Sequence, residues 1–516
     1  MTITPLLATA AESPVRAFGL LNYTALAAYL LAVFGVGVWF TRQNKNTDDF
    51  FRGGQSVPWW AVGVSIFATM LSSITYMSMP AKAYAGDWTL VLQNLPIFLL
   101  APVVIGLFLP VYRRLDATSA YEYLEKRFNY GLRLFGCVSF VVMQAGRVAV
   151  VLFLPALALS TVTDLNLYAS IAMMGVFSVV YSMLGGFKAV IWTDVVQTVV
   201  LLSGALFSLL LILFNLDGGL SQLLSTGAAN HKFDIAFWSW DVTSAGVAVV
   251  FIGGIFNQLV PLTSDQGYVQ RYMSTRTEKQ AAGAIWVNSI MTIPCTVLFL
   301  GLGTAMFVFY QQKGGLPSLP TPDAILPWFV TNELPAGMAG LVVAAIFAAA
   351  QSTMSASINS MSTVVTVDIV HRLRGKRSDA ADLRLARLLT GLFGLAGMGA
   401  AYWIALANLQ SMFDTFIKVV ALTASPLAGV FILGIFTRRT TSAGMVVGIL
   451  AGVAAAAAAW LKSDISFWLY AACGMLPTVI VGYLASFLTK RDSRDLSGLT
   501  FHTINRPQPN RGGLSR

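Results

Sequence analysis

Four stretches of this chain carry residues whose types and spacing could do chemistry in an apolar setting. The first is Val64-Ser65-Ile66-Phe67-Ala68-Thr69-Met70-Leu71-Ser72-Ser73-Ile74-Thr75-Tyr76-Met77-Ser78-Met79-Pro80, apolar enough for a bilayer yet dense in hydroxyls and closed by proline. Such a segment makes a poor continuous helix and a good broken one. Broken backbone at membrane depth survives where it is buried in protein or lines a cavity. In transporters the freed carbonyls can bind a coupling ion beside the substrate. The second stretch holds Ser352, Ser355, Asn359 and Ser362 on one stripe of a helix. That stripe serves either close helix packing or a hard-cation site, because hydroxyls and carbonyls supply oxygen ligands without a buried charge.

The third is Arg147, fourteen positions after Arg133 and so about 21 Å along a helix. An arginine at that depth costs at least about 2.5 kcal/mol. Either an ion pair compensates it, with Asp194 the nearest candidate, or it awaits an anionic ligand, most naturally a carboxylate that matches its planar fork. The fourth is Asp194 itself, six residues past Lys188, about 9 Å from the helix end. An intramembrane acid reads as a cation ligand, a proton relay or a helix–helix anchor.

The elements that must position these groups are transmembrane. The chain has 516 residues, 56% hydrophobic and 11% charged, with a mean hydropathy of +0.70. A globular protein has about 25% charged residues, so this is a polytopic all-α membrane protein. Cys137, Cys295 and Cys473 fall in apolar segments and suggest neither disulfides nor a metal site, and nothing points to nucleic acid.

At about 20 apolar residues per span, thirteen spans are expected: Leu20–Thr41, Pro58–Met79, Leu90–Tyr112, Leu134–Leu159, Asn166–Met183, Val190–Phe214, Gly246–Ser264, Ala282–Tyr310, Ala336–Ile369, Leu385–Leu406, Phe416–Phe436, Thr441–Leu461 and Ser466–Leu488. With the N-terminus outside, 26 of the 33 Lys and Arg fall in inner segments and five in outer ones. This places the C-terminus in the cytoplasm and explains the net charge of +10 without an anionic partner. Arg147 and Lys418 lie within spans, Lys418 near an outer end where it is expected to snorkel. Asp265, Asp368 and Arg271 are expected at inner ends or loops. Outer connections 215–245 and 311–335 read as caps, and the tail after Lys490 as disordered.

Gly253-Gly254-Ile255-Phe256-Asn257-Gln258-Leu259-Val260-Pro261-Leu262-Thr263 is a second interrupted apolar segment, five spans after the first. Paired interrupted helices indicate an inverted repeat with the site between the halves. One transporter domain is expected over residues 1–516: a repeat half beginning in 58–264, a second half over 246–436, and a cytoplasmic tail over 490–516.

The Asp49-Phe50-Phe51-Arg52-Gly53-Gly54 run, Gly185-Gly186-Phe187-Lys188-Ala189-Val190-Ile191-Trp192-Thr193-Asp194, Val269-Gln270-Arg271-Tyr272 and the serine-rich ninth span resemble the sodium/solute symporter family. Through Ser72-Ser73-Ile74-Thr75, Pro80-Ala81-Lys82-Ala83-Tyr84 and Gln144-Ala145-Gly146-Arg147 the chain is most similar to its bacterial sodium-coupled sialic acid symporters. The resemblance implies a LeuT-type fold of five plus five helices. It implies a sodium (Na+) site from the carbonyls of Ala68, Leu71 and Ala349 with the hydroxyls of Ser352 and Thr353. It also implies a substrate carboxylate held by Ser72, Thr75 and Arg147, with Asn94 in place of a pocket glutamine. A second sodium site would use Asp194, Ser352 and Ser355. The next hydroxyl of that pattern is Ala356 here, and a threonine near the broken helix is Met70, so one or two sodium ions per cycle both stay open.

The expected protein is therefore no enzyme but a secondary active symporter in a bacterial inner membrane, importing a small organic anion by alternating access. Sialic acid is the leading substrate; another sugar acid, a monocarboxylate or a neutral sugar is the alternative. It is expected to work as a monomer. A membrane-embedded sensor is the rival from another class, and a channel a third reading; the tail is too short for a catalytic domain.

Overall fold

A computed structural model describes residues 18–504, apart from 42–46, 116, 161–163, 236, 316–318, 320–321, 408–411 and 493, and apart from the side chains of 158 and 412–419. Among the described residues the main helices are α1 Leu20–Thr41, α2 Trp59–Met70, α3 Ser73–Ala85, α4 Val91–Leu115, α5 Tyr130–Ser160, α6 Leu167–Asn215 and α7 Val247–Ser264. They continue with α8 Gln266–Met273, α9 Glu278–Gln312, α10 Met338–Arg374, α11 Asp379–Ala407, α12 Met412–Phe436, α13 Ser442–Lys462 and α14 Tyr470–Phe487. Each of the thirteen expected spans falls on one of these helices or on a joined pair.

At 49 residues, α6 would be about 74 Å long if straight, more than twice the apolar core of a bilayer. Gly186 resolves this with φ 57° and ψ −155°, a conformation that glycine alone adopts freely. The helix folds back there as two spans. A Cβ on Gly186 would stand 2.6 Å from the Phe50 ring, and Lys188 pairs with Asp49 at 3.6 Å. The two glycine-containing motifs that sit far apart in sequence thus pack together.

The first interrupted segment is α2 and α3, bent by 63°. The break is at Leu71 and Ser72, both extended (φ −80°, ψ 93° and φ −86°, ψ 166°). Ser72 caps α3 by accepting from the Thr75 N–H, the usual way a serine satisfies an orphan donor. Pro80 lies inside α3, which runs on to Ala85. α9 approaches so closely there that a Cβ on Gly303 would lie 2.1 Å from the Pro80 carbonyl.

The second break is not at the Gly253–Pro261 cluster but at Asp265, between α7 and α8. Gly253 and Gly254 serve close packing: a Cβ on either would come within 2.6 Å of the Trp468 or Gln93 carbonyl. Arg271, expected in an inner loop, is wholly buried in α8, and Asp265 and Asp368 are buried too. Asp368 accepts from Arg133 at 2.7 Å and from Ser119 at 2.6 Å.

At the centre stands α10, with 94% of its apolar window buried. Its run of alanines and serines lets α6, α5, α1 and α11 pack around it. The connection 215–245 packs against the bundle: it carries a helix Gly219–Ala229 and Lys232, which donates to the carbonyls of Tyr84 (2.7 Å) and Gly86 (3.1 Å). The segment expected to be disordered is partly ordered. Leu499, Thr500 and Thr503 are buried, and Tyr123 donates to the Leu499 carbonyl at 3.1 Å. Residues 505–516 and the side chain of Lys418 lie outside the described residues.

Candidate binding site at the first helix break

Why the oxygens converge follows from the chain geometry. α2 ends at Met70, so the carbonyls of its last turn have no following helix to accept from. α10 passes alongside and supplies hydroxyls at one stripe. Ser352 Oγ lies 3.3 Å from the Ala68 carbonyl and 3.2 Å from the Ala349 carbonyl, and Thr353 Oγ1 lies 3.3 Å from the Ala349 carbonyl. These spacings exceed the usual 2.7–2.8 Å of an O–H···O bond. Among the described residues no hydrogen bond reaches the Leu71 carbonyl. All five residues are buried. The result is a neutral cluster of oxygens, the donor type a hard cation selects.

On the other side of the break, Ser72 Oγ and Thr75 Oγ1 are 3.3 Å apart. Arg147, from α5, donates through Nη2 to the Thr69 carbonyl at 2.7 Å. This fixes a guanidinium on the last turn of α2, just before the break. Among the described residues no acidic side chain lies within salt-bridge distance of Arg147, but the buried Asp265 carboxylate interacts with it electrostatically and Tyr268 by a hydrogen bond. Asp194, the nearest candidate in sequence, is instead bound by Arg271.

The Asp194 environment is a closed polar knot. Its Oδ2 accepts from Ser65 Oγ at 2.5 Å and from Arg271 Nη2 at 3.1 Å. Arg271 Nε donates to Ser65 Oγ at 2.8 Å and Nη1 to the Gly267 carbonyl at 2.6 Å. The Asp194 Oδ1 atom is buried without a hydrogen-bond partner. Ser355 Oγ donates to the Ser352 carbonyl at 3.1 Å. Asn94 forms a separate cross-link, donating to Thr296 Oγ1 at 3.0 Å and accepting from Gln258 Nε2 at 3.2 Å.

Of the residues assigned to the first sodium site, Ala68, Ala349, Ser352 and Thr353 meet in space, while Ser72 and Thr75 lie together and Arg147 reaches the Thr69 carbonyl of the same broken segment. Asp194 and Ser355 have partners of their own, and no hydrogen bond joins Asn94 to Arg147, Ser72 or Thr75. Reading by spacing missed Arg271 and Gln270. Gln270 donates to the Phe51 carbonyl at 2.5 Å and accepts from Ser360 at 3.1 Å. Their polarity made α8 look like a loop. The available signal was that a Gln–Arg pair flanked by Val269 and Tyr272 sits only a few residues after an apolar span.

A model of the sodium:solute symporter family matches residues 50–452. This chain belongs to that family. It is a multi-pass membrane protein and a sodium-coupled symporter, not an enzyme, and sodium is its coupling ion. It is 39% identical over 481 residues to the sodium/sialic acid symporter NanT of Aliivibrio fischeri, covering 92% of this chain and 95% of the relative. It is also 39% identical to the sodium/sialic acid symporter SiaT of Proteus mirabilis, over 91% of this chain and 95% of the relative. The human sodium/iodide cotransporter is 32% identical, over 85% of this chain and 69% of its own length. A solved substrate-bound, outward-open sodium-coupled sialic acid symporter superposes with a TM-score of 0.87 at 38% identity, covering 92% of this chain and all of that one. The nucleobase-cation symporter Mhp1, at 15% identity and a TM-score of 0.54, shares the fold. The family's fold is the LeuT type that the resemblance implied.

Proposed function

We propose that this symporter imports sialic acid, with its carboxylate received by Arg147, Ser72 and Thr75. The observation that carries this reading is Arg147. It is a guanidinium within the membrane, partly buried, held at the break where the hydroxyls cluster, with the buried Asp265 carboxylate as a neighbouring charge but outside salt-bridge range. The two bacterial relatives named for sialic acid support the substrate class. Asn94, tied to α7 and α9, lines the pocket and tunes the fit to the rest of the sugar.

Sodium binds at Ala68, Leu71, Ala349, Ser352 and Thr353. Coupling follows from sharing one short segment: a cation at the carbonyls of Ala68 and Leu71 holds the geometry of Ser72 and of the Thr69 carbonyl that Arg147 grips. A tenfold sodium gradient supplies about 1.4 kcal/mol per ion. A second ion at Asp194 and Ser355 would add the membrane potential, about 2.3 kcal/mol per 100 mV and charge. The chain acts as a monomer in a bacterial inner membrane with its N-terminus outside. It forms one transporter domain, with repeat halves within 58–264 and 246–436 and the cytoplasmic tail over 490–516.

Proteoliposomes loaded against a sodium gradient test the reading. Labelled sialic acid should accumulate above its external concentration only with sodium outside. Accumulation of hexuronates or monocarboxylates in its place would replace the substrate, and sodium-independent equilibration would indicate a channel. An inward positive current during uptake would require more than one sodium per monoanion; its absence fits a single ion.

A further inference from the structure

We propose that the cavity at the cytoplasmic ends of α4 and α9 holds the headgroup of an anionic phospholipid of the inner leaflet. The cavity measures about 650 Å³ and is lined by Pro110, Arg113 and Arg114 of α4, by the Arg276–Glu278 turn, and by Phe501 of the ordered tail. Three guanidiniums face one carboxylate, Glu278, so the lining is cationic. Arg113 is positioned by backbone: it donates to the carbonyls of Thr275 and Arg276, each at 2.7 Å. Arg114 and Arg276 are exposed. Guanidiniums converging on one space suit a phosphodiester, whose oxygens accept bidentate donors.

A phospholipid, in preference to a soluble phosphate, is indicated by what lies above the arginines. Leu99, Val103, Gly106 and Pro110 share one face of α4. Leu99 is 58% and Val103 37% exposed, and a Cβ at Gly106 would meet nothing within 4 Å. On α9, Trp286 and Ile290 are also exposed. Gly106 and Arg114 are eight residues apart, about 12 Å. An open apolar groove that ends on cations at headgroup depth has the charge pattern of an anionic lipid. A free anion would use its lower end alone. The inner-leaflet assignment rests on the N-out orientation proposed above. Binding itself depends on neither orientation nor substrate.

The full-length protein purified in detergent tests this by native mass spectrometry and thermal unfolding. Phosphatidylglycerol should be retained and raise the unfolding temperature, whereas phosphatidylcholine at the same concentration should not. The Arg114→Gln/Arg276→Gln variant should bind phosphatidylglycerol about 25-fold more weakly, about fivefold per arginine, while keeping its stabilisation by sodium. If the double variant does not fold, Arg276→Gln alone should show the fivefold loss. Equal retention of the two lipids, variant binding at the wild-type level, or full displacement of phosphatidylglycerol by inorganic phosphate would overturn the proposal.

Discussion

The two broken helices solve one physical problem in opposite ways. At the second break, between α7 and α8, the protein satisfies its own backbone. The carbonyls of Thr263 and Ser264 accept from the hydroxyls of Tyr112 and Tyr121, and only the Leu262 carbonyl, 3.5 Å from the Tyr272 hydroxyl, is loosely held. Asp265 caps α8 through the Gly267 N–H at 2.6 Å and is held by Gln144 Nε2 at 3.1 Å. Gln266 reaches the loop before α5, donating to the Thr118 carbonyl at 2.9 Å and accepting from the Ala120 N–H at 2.7 Å. At the first break, between α2 and α3, the carbonyls of Ala68 and Leu71 face loosely spaced hydroxyls or no protein donor. Irregular backbone in a membrane must find partners. Where the fold supplies them the break is structural, and where it leaves them open the break is the candidate binding site.

One buried ion pair joins the two breaks: Ser65 in α2 and Asp194 in α6 are bound to Arg271 in α8. Removing one member leaves an uncompensated charge, so Arg271→Ala should destabilise the protein by about 3–5 kcal/mol, the largest effect expected. Thermal unfolding in detergent measures it, and Arg271→Gln with Asp194→Asn should lose less than the two single losses combined. If Arg271→Ala unfolds like wild type, the pair is not the link between the breaks.

Arg147→Ala should weaken a carboxylate substrate by roughly 30-fold or more, as for loss of a desolvated charge pair. Uptake of sialic acid against that of an uncharged analogue reads this out, and equal loss of both would remove Arg147 from the carboxylate. Ser352→Ala should lower sodium affinity about tenfold, the scale of one hydrogen-bond-type contact to a charge. The sodium-dependent shift in unfolding temperature measures it, and an unchanged shift would move the ion elsewhere. Tyr121→Phe, at the closed break, should cost only about 1 kcal/mol of stability and leave sodium affinity unchanged. A sodium defect there would erase the distinction between the two breaks.

Much of the site was legible in the residues. Ser72, Thr75, Arg147 and Ser352 stand out because hydroxyls and a guanidinium are costly in an apolar span, whereas Thr353 came from the resemblance alone. Asp194 stood out for the same reason, but its partner did not. Arg271 is 77 residues away, in a polar stretch that looks like a loop until it is packed between α2, α6 and α10. The second break was misplaced because Gly253, Gly254 and Pro261 weaken a helix in isolation. Here they let Trp468 and Gln93 approach. The tail beyond Lys490 was read as disordered from its polarity, yet Leu499 and Thr503 are buried against the helices.

The linear chain by itself determined the membrane class, where the apolar segments lie and the first break with its hydroxyls. Those rest on local transfer free energy and on two periodicities, helix turn and bilayer thickness. Only the tertiary structure decided which polar groups meet. It separated Arg147 from Asp194, gave Asp194 to Arg271, drew Ser352 to the Ala68 carbonyl, and closed the second break with tyrosines while leaving the first open. Pairing is a property of depth and helix rotation within the packed bundle, and neither is written in the spacing along any one helix.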